Sequence, residues 1–233
     1  CGSDVSAWSV AKAFKTPCDT EDLPYIQNFD GVTAPAIPDC MTVTNDNNDA
    51  VQWVTNATYP NLTPNCMYIS YNTSLAMNDW FFTPGLILTG GKTYLVEFYY
   101  RSSASYNEKL EVKWGTNPNA AGMTGGQIWV NENIQSAVYA LATAEFTPDE
   151  DGVYYVGWHG YSNADMFYLC VDDILIDLAP TCPAPTALTV SEITTTSALL
   201  EWTAGGTETK WNIKYGEPGF DPETEGTLIS GIN

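Results

Sequence analysis

Positive charge is scarce in this chain. Eight Lys and Arg stand against 28 Asp and Glu, which leaves a formal net charge of −20 over 233 residues. Nucleic acid and anionic membrane surfaces are excluded as expected partners, because each phosphate contact needs a cation to displace counterions. Charged residues of either sign make up only 15% of the chain, against roughly 25% in an ordinary soluble domain. The acidity therefore comes from missing Lys and Arg, not from acidic runs. No apolar run approaches the roughly 18 residues of a membrane helix, so no membrane insertion is expected. No signal peptide opens the chain, which reads as a mature or excised fragment.

Histidine is rarer still, with His159 the single example. A zinc cluster would have to be nearly all thiolate, and the six cysteines contain no Cys-x-x-Cys. Cys1, Cys18, Cys40, Cys66, Cys170 and Cys182 are spread far apart and fit disulfides made in an oxidising compartment. Six cysteines allow 15 pairings, and spacing does not choose among them.

Aromatic residues are plentiful at 13%, including 8 Trp and 14 Tyr, so the chain can fill a core. Helical periodicity is nearly absent. Short alternating runs recur instead: 93–101, 109–114, 138–146, 152–161 and 166–178, with Leu110, Val112 and Trp114 sharing one face of the second. Gly90-Gly91 and Asp149-Glu150-Asp151-Gly152 supply turn chemistry between runs. Many strands at this spacing predict an all-β sandwich or barrel.

Three prolines within 180–185 mark a linker or an edge. Beyond it, Thr196-Ser197-Ala198-Leu199-Leu200-Glu201-Trp202 and Trp211-Asn212-Ile213-Lys214-Tyr215-Gly216 resemble strands B and C of a fibronectin type III domain. Cys1-Gly2-Ser3 with Ser6-Ala7-Trp8-Ser9 and Phe14-Lys15-Thr16-Pro17-Cys18 resembles the closing strand of such a domain. A lipid-bearing lipoprotein N-terminus at Cys1 is the alternative. A complete sandwich of this kind takes roughly 100 residues, so the resemblance implies one period of a repeat array cut inside its fibronectin units. The expected division is 1–18, the end of one fibronectin domain; 19–179, the main domain; and 180–233, the opening half of the next.

The main domain carries a second resemblance. Leu23-Pro24-Tyr25-Ile26-Gln27-Asn28-Phe29-Asp30-Gly31, Asn45-Asp46-Asn47-Asn48-Asp49-Ala50-Val51-Gln52-Trp53, Asn78-Asp79-Trp80-Phe81-Phe82-Thr83-Pro84 and Cys170-Val171-Asp172-Asp173-Ile174 follow one another in a characteristic order. Residues 23–178 thereby resemble the cleaved-adhesin, MAM-like jelly-roll domains (choice-of-anchor type) found in gingipain adhesin modules. The implied fold is a jelly-roll β-sandwich followed by an incomplete fibronectin type III, immunoglobulin-like sandwich.

The resemblance also implies structural calcium, held by Asp30, Asn45, Asn47, Asp49 and one of Asp172 or Asp173. Strand alternation would put the last two on opposite faces. The residues alone agree in part: the 45–49 loop concentrates oxygen donors, which calcium prefers, but lacks the glycine and distal glutamate of an EF-hand. A solvated Asx-rich turn is the competing reading of the same loop.

Catalytic patterns are weak. His159 lies in an alternating aromatic strand without a Gly-x-Ser-x-Gly elbow, and reads as a packed or hydrogen-bonded strand residue. Gly122-Met123-Thr124-Gly125-Gly126 lacks the Lys of a phosphate loop. Sugar stacking is better supplied: Trp80, Trp114, Trp129, Trp158 and Tyr161 are available, with Trp129, Trp158 and Tyr161 as candidate ligand contacts. Asn56, Asn61 and Asn72 begin N-glycosylation tripeptides, which the resemblance to bacterial domains implies are chance matches. The expected function is that of a non-enzymatic, extracellular adhesion or binding module of a repetitive bacterial cell-surface or secreted protein. Its expected partners are glycan, a host or cell-surface protein, and neighbouring copies of the same repeat. An accessory carbohydrate-binding domain of a secreted hydrolase or peptidase is the alternative.

Overall fold

A computed structural model describes residues 18–62, 64–182 and 184–232. The chain divides between Ala179 and Pro180 into two compact units. Among the described residues, twelve strands build the first: β1 (Tyr25–Gln27), β2 (Thr42–Asn45), β3 (Val54–Asn56), β4 (Cys66–Ser70), β5 (Asp79–Phe82), β6 (Leu86–Leu88), β7 (Tyr94–Arg101), β8 (Glu108–Gly115), β9 (Gly126–Ile134), β10 (Ala140–Phe146), β11 (Gly152–Gly160) and β12 (Tyr168–Leu178). A 3-10 turn, Ala120–Gly122, lies between β8 and β9. The five alternating runs of the sequence appear as β7, β8, β10, β11 and β12.

Two antiparallel sheets form. One runs β10-β7-β12-β4-β3, with β1 also pairing β12; the other runs β2-β5-β11-β8-β9, with β6 also pairing β11. The 11-residue β12 takes β7 along one side and, along the other, first β4 and then β1. Each sheet turns alternate side chains inward. Val96, Phe98, Met67, Ile69, Leu169, Val171 and Ile176 of the first sheet meet Phe81, Leu110, Val112, Val156 and Trp158 of the second in one core. Trp158 is the hinge pin of that core. It lies parallel to Phe81 at 5.0 Å and edge-on to Phe98 at 5.7 Å, which are favourable aromatic geometries.

The register of β12 against β7 slips between Asp172 and Leu175. Asp173 takes φ 47°, a left-handed conformation that aspartate tolerates better than most residues. This bulge bends β12 between the segment that pairs β4 and the segment that pairs β1.

Of the six cysteines, Cys18 and Cys40 form a disulfide, whereas Cys66, Cys170 and Cys182 stand as free thiols. Cys1 and the rest of the expected fibronectin strand at 1–17 lie outside the described residues.

The second unit holds β13 (Thr186–Ser191), β14 (Leu199–Thr203), β15 (Trp211–Tyr215) and β16 (Thr227–Ile232). Among the described residues they pair as β13-β14 and β15-β16. Trp202 and Trp211 meet edge-to-face at 5.4 Å and line a groove with Leu188, Leu200 and Ile213. None of its described residues is fully buried. Among the described residues of the whole chain, no helix is long and apolar enough to cross a membrane.

Candidate functional site

The outward face of the β2-β5-β11-β8-β9 sheet assembles side chains from all five strands. Because Val156 and Trp158 point into the core, Gly157 and His159 between and beside them point out. Register then aligns one row, Thr44, Trp80, His159, Glu111 and Val130, straight across the sheet. The next row is Thr42, Phe82, Gly157, Lys113 and Gln127. Glycine at 157 is needed for packing: a Cβ there would run into the Phe82 ring at 2.6 Å.

Four rings form a file on this face. Phe82 stacks on Trp80 at 5.6 Å, Trp80 on His159 at 4.1 Å, and His159 on Tyr161 at 5.4 Å. Trp80 and Phe82 are buried with Met123, and the Lys113 ammonium sits 5.7 Å from the Trp80 ring centre. His159 and Tyr161 remain partly exposed.

Glu111 ties the polar rim together. Its Oε1 accepts from Lys113 Nζ at 2.8 Å and meets His159 Nδ1 at 2.9 Å, while its Oε2 accepts from Gln127 Nε2 at 2.6 Å. Burial opposes the Glu111 charge, but hydrogen bonds from Lys113, His159 and Gln127 outweigh it and hold the carboxyl below its ordinary range. Burial pulls the His159 imidazole below its ordinary value despite the upward pull of Glu111. His159 Nε2 lies 2.8 Å from Asn78 Oδ1. Tyr161 donates to Glu132 Oε1 at 3.3 Å; burial and the neighbouring Glu132 and Glu111 raise its phenol to about 12.

Of the stacking residues expected from sequence, Tyr161 is on this face. Trp158 is not available: it is 0% exposed, in the core. Trp129 is partly buried and packs edge-on against Phe98 and Tyr100. Sequence reading counted Trp80 among the available stacking rings but not among the ligand contacts, and it missed Glu111 and Lys113. Their signal was present as the polar phase of Lys109–Trp114, and as the unbroken apolar run Trp80-Phe81-Phe82, which must cover both faces of its strand.

The six expected calcium ligands fall into two groups. Asp30, Asp172 and Asp173 gather at the β12 bulge. There the Asn61 N–H donates to Asp172 Oδ2 at 2.8 Å, the Asn61 amide donates to Asp173 Oδ2 at 2.9 Å, and the Asn65 N–H donates to Asp30 Oδ1 at 3.2 Å. The bulge overrides the expected alternation, so Asp172 and Asp173 both face Asn61. Asp172 Oδ1 is taken by the Asp173 N–H. Burial pushes the Asp172 carboxyl up to about 7, against the N–H donors of Asn61 and Asp173.

Asn45, Asn47 and Asp49 form the other group at the end of β2. The Asn45 amide donates to the carbonyls of Asp49 and Val51, and Asn47 accepts from the Asp49 N–H. Asp79, opposite Asn45 across β2–β5, joins them. Asp79 Oδ1 and Asn45 Oδ1 are both buried without a hydrogen-bond partner. Burial, then the charges of Asp49 and Asp46, push the Asp79 carboxyl up to about 7, although the Asn78 N–H opposes the shift. Two unsatisfied buried oxygens beside two further carboxylates fit a hard cation such as calcium. Among the described residues no three His, Cys, Asp or Glu side chains converge as a metal cluster, so carbonyl and amide oxygens would have to complete the shell.

No family model matches the sequence, and no curated protein does. Solved structures do match. The K1 cleaved adhesin domain of Lys-gingipain from Porphyromonas gingivalis W83 is 19% identical with a TM-score of 0.55, over 67% of this chain and 98% of that one. The K2 domain of Lys-gingipain is 16% identical with a TM-score of 0.56, over 66% and 99%. The K3 domain from the same W83 strain is 17% identical with a TM-score of 0.51, over 66% and 96%. At these identities the likeness is one of fold: the chain contains a β-sandwich of the cleaved-adhesin kind.

Proposed function

We propose that this chain is a non-enzymatic, extracellular binding module of a bacterial surface or secreted protein, and that it contacts glycan through the outward face of the β2-β5-β11-β8-β9 sheet. The supporting observation is the ring file ending in partly exposed His159 and Tyr161, rimmed by Lys113, Gln127, Asn78 and Glu132. Apolar sugar faces stack on such rings, and the amides and charges around them suit hydroxyl groups. His159 and Glu111 are committed to one another and to Asn78, Lys113 and Gln127, an arrangement that orients a surface.

Calcium belongs to the same reading as a structural ion. Asp79 and Asn45 would hold it, with Asp46 and Asp49 supplying charge, and its work would be to fix the β2 end of the binding sheet.

The test is isothermal titration and affinity electrophoresis of the full chain against a panel of soluble polysaccharides, with millimolar calcium present. The wild type should be retarded by at least one polysaccharide, and Tyr161→Ala should weaken that binding about tenfold. Retention unchanged by Tyr161→Ala, or no retention by any glycan, sinks the assignment.

A further inference from the structure

The opposite outward face, on the β10-β7-β12-β4-β3 sheet, buries two thiols that the binding face does not use. Cys170 pairs with Tyr68 across β12–β4, so Cys66 is its diagonal neighbour on the same face. Both are 0% exposed and share one buried cluster, where the Cys66 thiol donates to the Asn56 carbonyl at 3.6 Å. Tyr59 stacks on Tyr168 at 4.5 Å beside them. Tyr139 contacts Cys66 and donates to the Tyr59 carbonyl at 2.7 Å. Arg101, the only arginine of the chain, is the register partner of Cys170 on β7. Its guanidinium lies 5.4–5.9 Å from the ring centres of Tyr59, Tyr139 and Tyr168.

We propose that Cys66 and Cys170 mature into a second disulfide of the first unit, tying β4 to β12 beneath a cover of Tyr59, Tyr139 and Arg101. The Cys18–Cys40 bridge already implies a chain that folds where thiols are oxidised. The oxidant class is a small-molecule disulfide such as oxidised glutathione. One cysteine, as thiolate, attacks it, forming a mixed disulfide and expelling one glutathione thiolate. The second cysteine, as thiolate, attacks the protein-bound sulfur and expels the other. Two electrons pass to glutathione, and the two thiol protons end on the two glutathione thiols. Burial pushes the Cys170 thiol well up, with only Arg101 and Tyr139 opposing, so the closed face exchanges slowly. The bond therefore forms before Tyr59 and Tyr139 seal it, and is shielded from reductant afterwards. Diagonal Cα atoms in an antiparallel ladder stand about 7–8 Å apart and a disulfide reaches about 6.8 Å. Closing the bond thus shortens the diagonal Cα separation of Cys66 and Cys170 by about 1 Å.

The full chain, refolded in glutathione buffer, is unfolded without reductant in excess iodoacetamide and mapped by mass spectrometry. The expected result is a Cys66–Cys170 linked peptide, two hydrogens lighter than the dithiol, alongside the linked Cys18–Cys40 peptide. Alkylation of both Cys66 and Cys170 in protein whose Cys18–Cys40 bridge is intact overturns the proposal. A second measurement compares Cys66→Ala, Cys170→Ala and the double variant by thermal melting. Losing either cysteine loses the bond, so each single variant should fall by about as much as the double; fully additive losses mean packing alone and overturn it.

Discussion

Asn45 and Asp79 face each other across β2 and β5, and each buries a side-chain oxygen that no donor satisfies. An unsatisfied buried acceptor costs about 1–3 kcal/mol, and two in register mark a place where a cation would do the work of a donor.

Calcium should therefore raise the melting temperature of metal-stripped protein by several degrees at millimolar concentration, with magnesium as control. In Asp79→Asn the rise should vanish. A calcium response that survives Asp79→Asn would move the ion elsewhere, with the Asp30, Asp172 and Asp173 group as the next candidate.

Asp172 sets a pH dependence of opposite sign to that of an ordinary surface carboxylate. Its native carboxyl stands at about 7, against an ordinary value of 3.8, so the folded state holds a proton that the unfolded state has released. The contribution is fully favourable below about pH 4 and is lost as pH rises toward 7. Melting temperature in chelator should fall between pH 5 and pH 8, and the slope should flatten in Asp172→Asn. An unchanged slope would mean that the N–H donors of Asn61 and Asp173 keep the group ionised.

Gly115 is a packing constraint. A Cβ there would land on the Gly122 carbonyl and the Met123 backbone, so the 3-10 turn could not dock against β8. Gly115→Ala should cost about 2 kcal/mol. Gly31, where a Cβ meets nothing within 4 Å, is the matched control, and Gly31→Ala should change stability by less than about 0.5 kcal/mol. Urea denaturation of the two variants decides it.

Core and face can be separated by one pair of variants. Trp158→Ala removes the ring between Phe81 and Phe98 and should cost about 3–5 kcal/mol. Tyr161→Ala should leave the urea midpoint within about 0.5 kcal/mol of wild type while weakening glycan binding. A large stability loss in Tyr161→Ala would recast the outer rings as structural.

Strand periodicity was legible because half-buried strands alternate. The runs ending at Arg101, Phe146 and Leu178 are strands to the last residue. The short strands β1, β3 and β6 have three residues each, too few to show a period. The face of a tryptophan was harder to read. Trp158 and Trp80 are both in strands among aromatic neighbours, yet one is sandwiched between the sheets and the other lies outside them, a difference set by register with β5 and β8. The six oxygen-bearing candidates were individually visible, but their division into two groups depends on a β-bulge and on which strands carry them. Asp79 escaped notice because its significance comes from facing Asn45 over a strand pair separated by 34 residues in sequence.

The position of β12 has a consequence for biosynthesis. The strand that completes the first sheet, Tyr168–Leu178, is the last of its unit to leave the ribosome, yet β1, β4 and β7 all dock on it. A nascent chain that stops short of Tyr168 carries those strands with unpaired edges and with Met67, Ile69, Val96 and Phe98 bare. Stepwise closure of this sheet is denied to it, and its folding is a late, concerted event dominated by distant contacts.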